Sequence, residues 1–301
     1  MMSLINALPG AVAQGLIWGI MAIGVYLTFR ILDIADLTVD GSLGTGGAVC
    51  IMLMLSGQNV WVAMAGATAA GMAAGLATGI LHTFMGIPAI LAGILTQLGL
   101  YSINLKTMGK ANQAINVDKY DLLVSLRFIR KVPFYKNTIL IVAIEIILLI
   151  VVLYWFFGTE LGCSLRATGC NDKMARAQGI NTDFNRVLGL MISNGLVALS
   201  GAMLCQYQGF ADINMGRGAI VIGLAAVIIG EAIFGKVFRN FGFKLLAVAL
   251  GSIIYYLVLQ VVIWLGIDTD LLKLLSAGVV AVFLAIPTWK SRYFSNMGKR
   301  G

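Results

Sequence analysis

From Leu4 to Pro287 the chain is a succession of long apolar runs parted by short polar stretches, a pattern that constrains the fold more than any motif in it. The runs fall at Leu4–Phe29, Leu37–Leu55, Val60–Phe84, Ile87–Leu105, Thr138–Phe157, Val187–Cys205, Ala219–Phe234, Leu245–Leu265 and Leu271–Pro287. A bilayer core about 30 Å thick needs about 20 helical residues to cross it, and most of these runs meet that length. None alternates with a period of two, as the strands of a membrane barrel do. With 59% hydrophobic and 11% charged residues, the apolar surface far exceeds what one water-soluble core could hide. The expectation is an all-α, polytopic helical membrane protein forming one transmembrane domain over residues 1–301. It has about eight or nine transmembrane or partly inserted helices. Met1 to Gly10 carry no basic region and no cleavage site, so the first run reads as a span that stays in place.

Basic residues flanking spans set orientation. Lys290, Arg292, Lys299 and Arg300 put the C-terminus in the cytoplasm, and counting back places Lys236, Arg239 and Lys244 there too, with a central segment over about 160–186. The same parity puts the N-terminus, the Asp268–Asp270 turn and a segment over about 106–137 outside. That external segment is itself basic, against the positive-inside tendency, but longer segments translocate despite their charge. The net charge of +8 therefore reads as span flanks facing lipid, and not as a nucleic-acid surface.

Catalytic chemistry has no support. One histidine, His82, and four cysteines at 50, 163, 170 and 205 form no metal-ligand spacing, and no cofactor or metal is expected. Gly230 to Lys236 reads GEAIFGK, but Val237 stands where a phosphate loop needs a hydroxyl, and the string ends an apolar run. No nucleophile elbow or paired carboxylates appear. Glu145, inside the fifth run, reads as a helix-contact residue or, more sharply, a proton-coupling one. Glu231 is expected to pair with Lys236 or Arg239 at a span end. Gly71, Gly75 and Gly79 recur every fourth residue, as do Gly15 and Gly19, which gives flat helix faces for close packing.

Gly162 to Arg186 is polar within this apolar chain. Asn171 can cap a short helix from Asp172 to Gln178, Gly179 can end it in the left-handed conformation, and Gly169 separates it from a preceding turn over 164–168. Ala167, Cys170, Met174 and Ala177 fall at helical spacing along one side, so the segment reads either as a small helix that slots into a partner or as one lying on headgroups.

The string GCSLRATGCN from Gly162, with MARAQGIN from Met174, resembles the cytoplasmic coupling segment of permease subunits of bacterial ABC importers of the branched-chain amino acid and ribose type. The resemblance extends through LSGA at Leu199 to Ala202, the stretch from Gly216 to Gly230, and LDIADLTVDGSLGTGGAV from Leu32, and so covers nearly the whole chain. Within that family it is most similar to the subgroup labelled tryptophan or tyrosine permeases. The resemblance implies a permease homodimer in the bacterial cytoplasmic membrane, two cytoplasmic ABC ATPase subunits and an extracytoplasmic substrate-binding protein. It implies no catalytic residues in this chain. The ATPases would grip Leu165, Arg166, Gly169, Asn171, Asp172, Met174, Arg176 and Gly179.

Two glycine-rich blocks, Asp40 to Val49 and Asn214 to Val227, each open an apolar run and by the parity above run in opposite directions, as an inverted repeat would. Both are expected to wall a cavity, the first as a broken helix. Candidate solute contacts are Asp40, Ser42, Tyr101, Asn104, Asn194 and Gln206. The function expected is passage of a small, amino-acid-like solute through an ATP-driven importer. The alternatives are an ion-coupled secondary transporter using Glu145 and the aspartates near Asp33–Asp40, a permease for sugars or nucleosides, and a non-transporting scaffold.

Overall fold

The computed structural model describes residues 2–117, 120, 122–129 and 137–265, together with 274, 277, 278, 280–282 and 285. The C-terminal basic flank, the turn at Asp268–Asp270, most of the ninth apolar run and part of the 106–137 segment lie outside the described residues.

Among the described residues, ten α-helices have both ends defined: α1 (Met2–Tyr26), α2 (Thr38–Leu55), α3 (Val60–Thr83), α4 (Ala89–Met108), α5 (Thr138–Gly158), α6 (Glu160–Cys170), α7 (Asp172–Ala177), α8 (Thr182–Gln208), α9 (Ala219–Phe234) and α10 (Phe241–Trp264). Seven of the helical segments are long and apolar enough to cross a membrane, α9 being the short apolar one. The fold is that of a polytopic helical membrane protein. Two three-residue strands, β1 (Asn112–Ala114) and β2 (Phe210–Asp212), pair antiparallel and tie the loop after α4 to the end of α8.

The packing has an internal two-fold relation. Ser200 Oγ donates to Ile17 O and Ser193 Oγ to Gly24 O, both at 2.8 Å, so α1 and α8 run antiparallel. Ile17 is then equivalent to Ser193 and Gly24 to Ser200, each offset by 176 residues (193 − 17 and 200 − 24). The same offset relates Gly19 to Gly195, and their neighbours correspond: Gly19 lies against Ala249 of α10, Gly195 against Thr68 and Met72 of α3. The other contacts follow suit. Helix α3 crosses α8 antiparallel, as α10 crosses α1; α2 runs broadly with α8, as α9 runs with α1. Helices α2 and α9 are therefore opposed in direction, which is the inverted arrangement expected of the two glycine-rich blocks.

The glycines explain how tightly this closes. A Cβ at Gly46 would overlap the backbone of Ala198, one at Gly201 the backbone of Leu43, and ones at Gly71 and Gly75 the backbones of Asn194 and Leu190. Where lipid offers no hydrophobic drive between helices, such backbone approach supplies the van der Waals contact that holds them. Glycine costs helix propensity, yet the Asp40–Val49 block stays an unbroken helix, contrary to the expectation of a break inside it. The irregular backbone lies just before, where a π-helical extension of α1 over Leu27–Ile31 ends and Asp33 turns the chain with φ 56°. Residues 32–37 then re-enter the bundle. Glu231 also departs from expectation: it pairs with Arg30 at the end of α1, because α9 runs beside α1 and brings them together.

Gly46→Val should lower the melting temperature of the purified protein markedly, overpacking of this kind costing about 1–3 kcal/mol. Gly99→Ala, with open space around its Cα, is the control. Equal melting of the two variants would remove the glycine contact as the reason for the tight packing.

Candidate functional site

Two helices begin inside the bundle, and their N-termini meet. The carboxylate of Asp40, in the first turn of α2, accepts from Gly218 N at 2.9 Å and from Ile220 N at 3.0 Å, one on each oxygen. It caps α9 from a different helix. The N-cap residue of α9 is Gly218, with φ 85° and no side chain to serve its own helix. Away from water the first-turn N–H groups need such a partner, and an anion there also meets the positive end of the helix dipole. A Cβ at Gly216 would overlap the Asp40 backbone, so glycine is what allows the approach.

Beside this junction lies a cleft of about 220 Å³ lined by Asp40, Gly41, Gln97, Leu98, Tyr101, Asn104, Ile213 and Arg217. Asn104 is only 2% exposed, and its Oδ1 has no hydrogen-bond partner among the described residues. A buried acceptor left open costs about 1–3 kcal/mol, so this one points to something that supplies a donor. Arg217, exposed, also lines the cleft and makes no ion pair among the described residues. The cleft thus offers a carboxylate, a guanidinium, two amides and an aromatic ring around one small volume.

Behind Asp40 a buried polar network fixes the re-entrant segment. Asn194, near the midpoint of α8, donates to Asp36 Oδ2 at 2.7 Å and accepts from Ser42 Oγ at 2.6 Å. Thr38 N donates to the other Asp36 oxygen at 2.9 Å. The hydroxyls of Thr38 and Thr78 are 2.7 Å apart, and that of Thr78 donates to Thr96 at 2.9 Å, which joins α2, α3 and α4.

Of the six solute-contact candidates, Asp40, Tyr101 and Asn104 line the cleft, whereas Ser42 and Asn194 belong to the network behind it. Gln206 lies apart, accepting from Leu123 N at 3.1 Å and donating to Ala202 O and Cys50 Sγ. Gln97 and Arg217 were not singled out from the sequence, and Asp36 was considered only among the aspartates of an ion-coupled alternative. The register of α4 that turns Gln97 toward Tyr101 and Asn104 follows from Gly41, against whose absent side chain Gln97 and Leu100 pack.

At the other candidate region, Asn171 caps α7 by accepting from Met174 N at 3.1 Å, and Gly179 takes the left-handed conformation with φ 81°. Gly169, however, lies within α6 and not at a break; a Cβ there would overlap the Ile31 backbone, so it serves close packing on the end of α1. Ala167, Cys170, Met174 and Ala177 do not form one continuous face, because the chain changes direction at Asn171, with φ −159°. Leu165 is buried against Gly189, and Arg166 stacks over the Phe241 ring. Arg176 pairs with Asp183 at 2.9 Å and Asp172 at 3.6 Å, and Arg186 with Asp172 at 3.3 Å, fastening α7 to the start of α8. Met174 is left 63% exposed on the outer side of α7. Glu145, half-buried on α5, makes no hydrogen bond or ion pair among the described residues.

The family model described as branched-chain amino acid transport system / permease component matches residues 8–290. The chain is 38% identical over 280 residues to a tyrosine transport system permease protein of Clostridioides difficile (strain R20291), covering 93% of this chain and 91% of that one. It is 35% identical over 282 residues to an uncharacterised protein of Rickettsia prowazekii (strain Madrid E), 93% of this chain and 97% of that one. A more partial match, 30% over 214 residues, 70% of this chain and 58% of the other, is to the autoinducer 2 import system permease protein LsrC of Yersinia pestis (strain Pestoides F). No solved structure matches the chain.

The cap makes a graded prediction. Asp40→Asn keeps one acceptor and Asp40→Ala keeps none, so melting temperature should fall in that order, with Ala costing about 1–2 kcal/mol. Identical melting of both variants and the parent would show that α9 does not depend on Asp40.

Proposed function

The chain belongs to the branched-chain amino acid transport system / permease component family, and on that premise we propose that it is the membrane subunit of an ATP-driven importer of an amino-acid-like solute. It is the permease component of an ABC-type transport system and a multi-pass membrane protein. In the proposed reading a homodimer sits in the bacterial cytoplasmic membrane with α6 and α7 on the inner side. Two ABC ATPases grip α7, and a binding protein delivers solute at the opposite face, where β1 and β2 pair.

The observation that carries the solute proposal is the unpartnered Asn104 Oδ1 in a cleft that also holds Arg217, Asp40 and Tyr101. A zwitterion suits this set: Arg217 can take a carboxylate in a bidentate pair, and the Asn104 acceptor can take an ammonium proton. The ring of Tyr101 suits an aromatic side chain. The tyrosine transport relative points the same way. Mechanically, Asp40 couples the cleft to both inverted halves, since it belongs to α2 and caps α9. A small rotation of one half against the other, of the kind inverted repeats permit, would change what the cleft faces.

The lever would be α6. It continues from α5, packs through Gly169 on the end of α1 and through Leu165 on α8, and ends in the ion-paired α7. Motion of α7 in a partner's cleft would thus be felt at α1 and α8, the central pair of the two-fold relation.

Met174→Asp, at the exposed side of α7, should abolish ATPase copurification and uptake while leaving the melting temperature unchanged. Gly179→Pro should also abolish both, here with some loss of stability, since proline cannot adopt φ 81° and cannot donate the Gly179 N–H to Arg176 O. Asn104→Leu and Arg217→Gln should keep the ATPase bound but weaken uptake of labelled tyrosine, by at least about tenfold where a buried charge-assisted bond is lost. Uptake by the purified chain alone, driven by a pH gradient, would overturn ATP coupling. Undiminished uptake in both cleft variants would overturn the solute site.

A further inference from the structure

At the end of the bundle that carries α6 and α7, two clefts of opposite character flank the start of α10. One, of about 270 Å³, is basic: Arg30, Arg166, Arg239 and Lys244 line it, together with Tyr26 and Phe241. Glu231 neutralises only Arg30. Among the described residues no carboxylate lies within ion-pair distance of Arg166, Arg239 or Lys244. The first turn of α10 lies beside these cations, and its N-cap Asn240 makes no side-chain cap bond. The other cleft, of about 360 Å³, lies between α5 and α10 and is almost wholly apolar, with Ile147, Ile150, Val151, Tyr154, Phe243 and Leu246 as walls. Phe241 stands between them, its ring 4.9 Å from that of Phe157 and beneath the Arg166 guanidinium.

The apolar groove runs from Tyr154, near the end of α5, back to Ile147. Two turns of helix are about 10 Å, the reach of the first part of an acyl chain below its headgroup. Three cations with no carboxylate partner among the described residues at a helix-bundle rim, with an apolar groove on the far side of Phe241 at the start of the same helix, have the complement of one class of molecule: an amphiphile with an anionic head. Neutral headgroups leave the cations unmatched, and a free anion leaves the groove unfilled. We propose that the start of α10 is a binding site for an anionic phospholipid, its phosphate held by Arg166, Arg239 and Lys244 and one acyl chain lying between α5 and α10. The proposed function enters only in naming the leaflet as the inner one. The bound lipid would tie α1, α6 and α10 together where α6 leaves the bundle.

The test uses the full-length chain in detergent, with phosphatidylglycerol and phosphatidylcholine of equal chain length and with inorganic phosphate as probes. Lipid retained in native mass spectrometry and the rise in melting temperature are the readouts. Phosphatidylglycerol should bind saturably and stabilise, with phosphatidylcholine well behind. Arg239→Gln and Lys244→Gln should each weaken phosphatidylglycerol by about fivefold, the worth of one basic residue at an anionic surface. Leu246→Trp and, separately, Ile150→Trp should displace the lipid without changing any response to phosphate. Equal binding of the two lipids overturns the proposal. So does a phosphate response as large as that of phosphatidylglycerol together with indifference to Leu246→Trp, which would make the cleft a free-anion site. Full lipid binding by both charge variants would also overturn it.

Discussion

Every other feature of the bundle depends on how closely other backbones approach α8. Gly46 and Gly201 bring α2 onto it, Gly71 and Gly75 bring α3, and the hydroxyls of Ser193 and Ser200 bond directly to backbone carbonyls of α1. In lipid, helices gain little from being apolar toward each other; they gain from contact area and from polar groups that find partners. Small residues on α8 provide both. A helix with larger side chains at these positions would hold α1, α2 and α3 a layer apart, and the re-entrant segments would lose the cover they need.

That cover matters because some of the described residues are neither helical nor outside the bundle. Residues 32–37 and 213–218 carry backbone groups that hydrocarbon could not satisfy. Each is supplied locally: Asp36 takes the Thr38 N–H and the Asn194 amide, and Asp40 takes the N–H groups at the start of α9. The two aspartates, four residues apart, thereby fix the starts of both inward-facing helices. Beside them lies a cleft with a buried amide oxygen, that of Asn104, unpartnered among the described residues.

Several of these elements were legible in the chain. The apolar runs mark the helices to within a few residues, because a span of hydrocarbon dictates length and composition together. Asn171 and Gly179 announce α7, since few residues cap an N-terminus well and few tolerate φ 81°. The two glycine-rich blocks announce opposed halves. Gly169 was misread as a break: glycine signals either a turn or a close approach, and which one depends on Ile31, 138 positions away in the chain (169 − 31). Glu231 was likewise assigned to basic neighbours in sequence, whereas its partner Arg30 arrives through the packing of α9 along α1.

The division follows from the range of the forces concerned. Local chemistry, read residue by residue, determines that the chain is helical, that it lives in a membrane, where its helices are capped, and which positions must be glycine. Which polar residues share a cleft is a matter of register between helices distant in sequence. Asp40, Tyr101, Asn104 and Arg217 converge because Gly41 admits α4 and Gly216 admits the segment before α9. Ser42, one residue beyond Gly41, points instead into the network around Asn194. Only the packed bundle distinguishes a side chain that lines an opening from its neighbour that holds the wall.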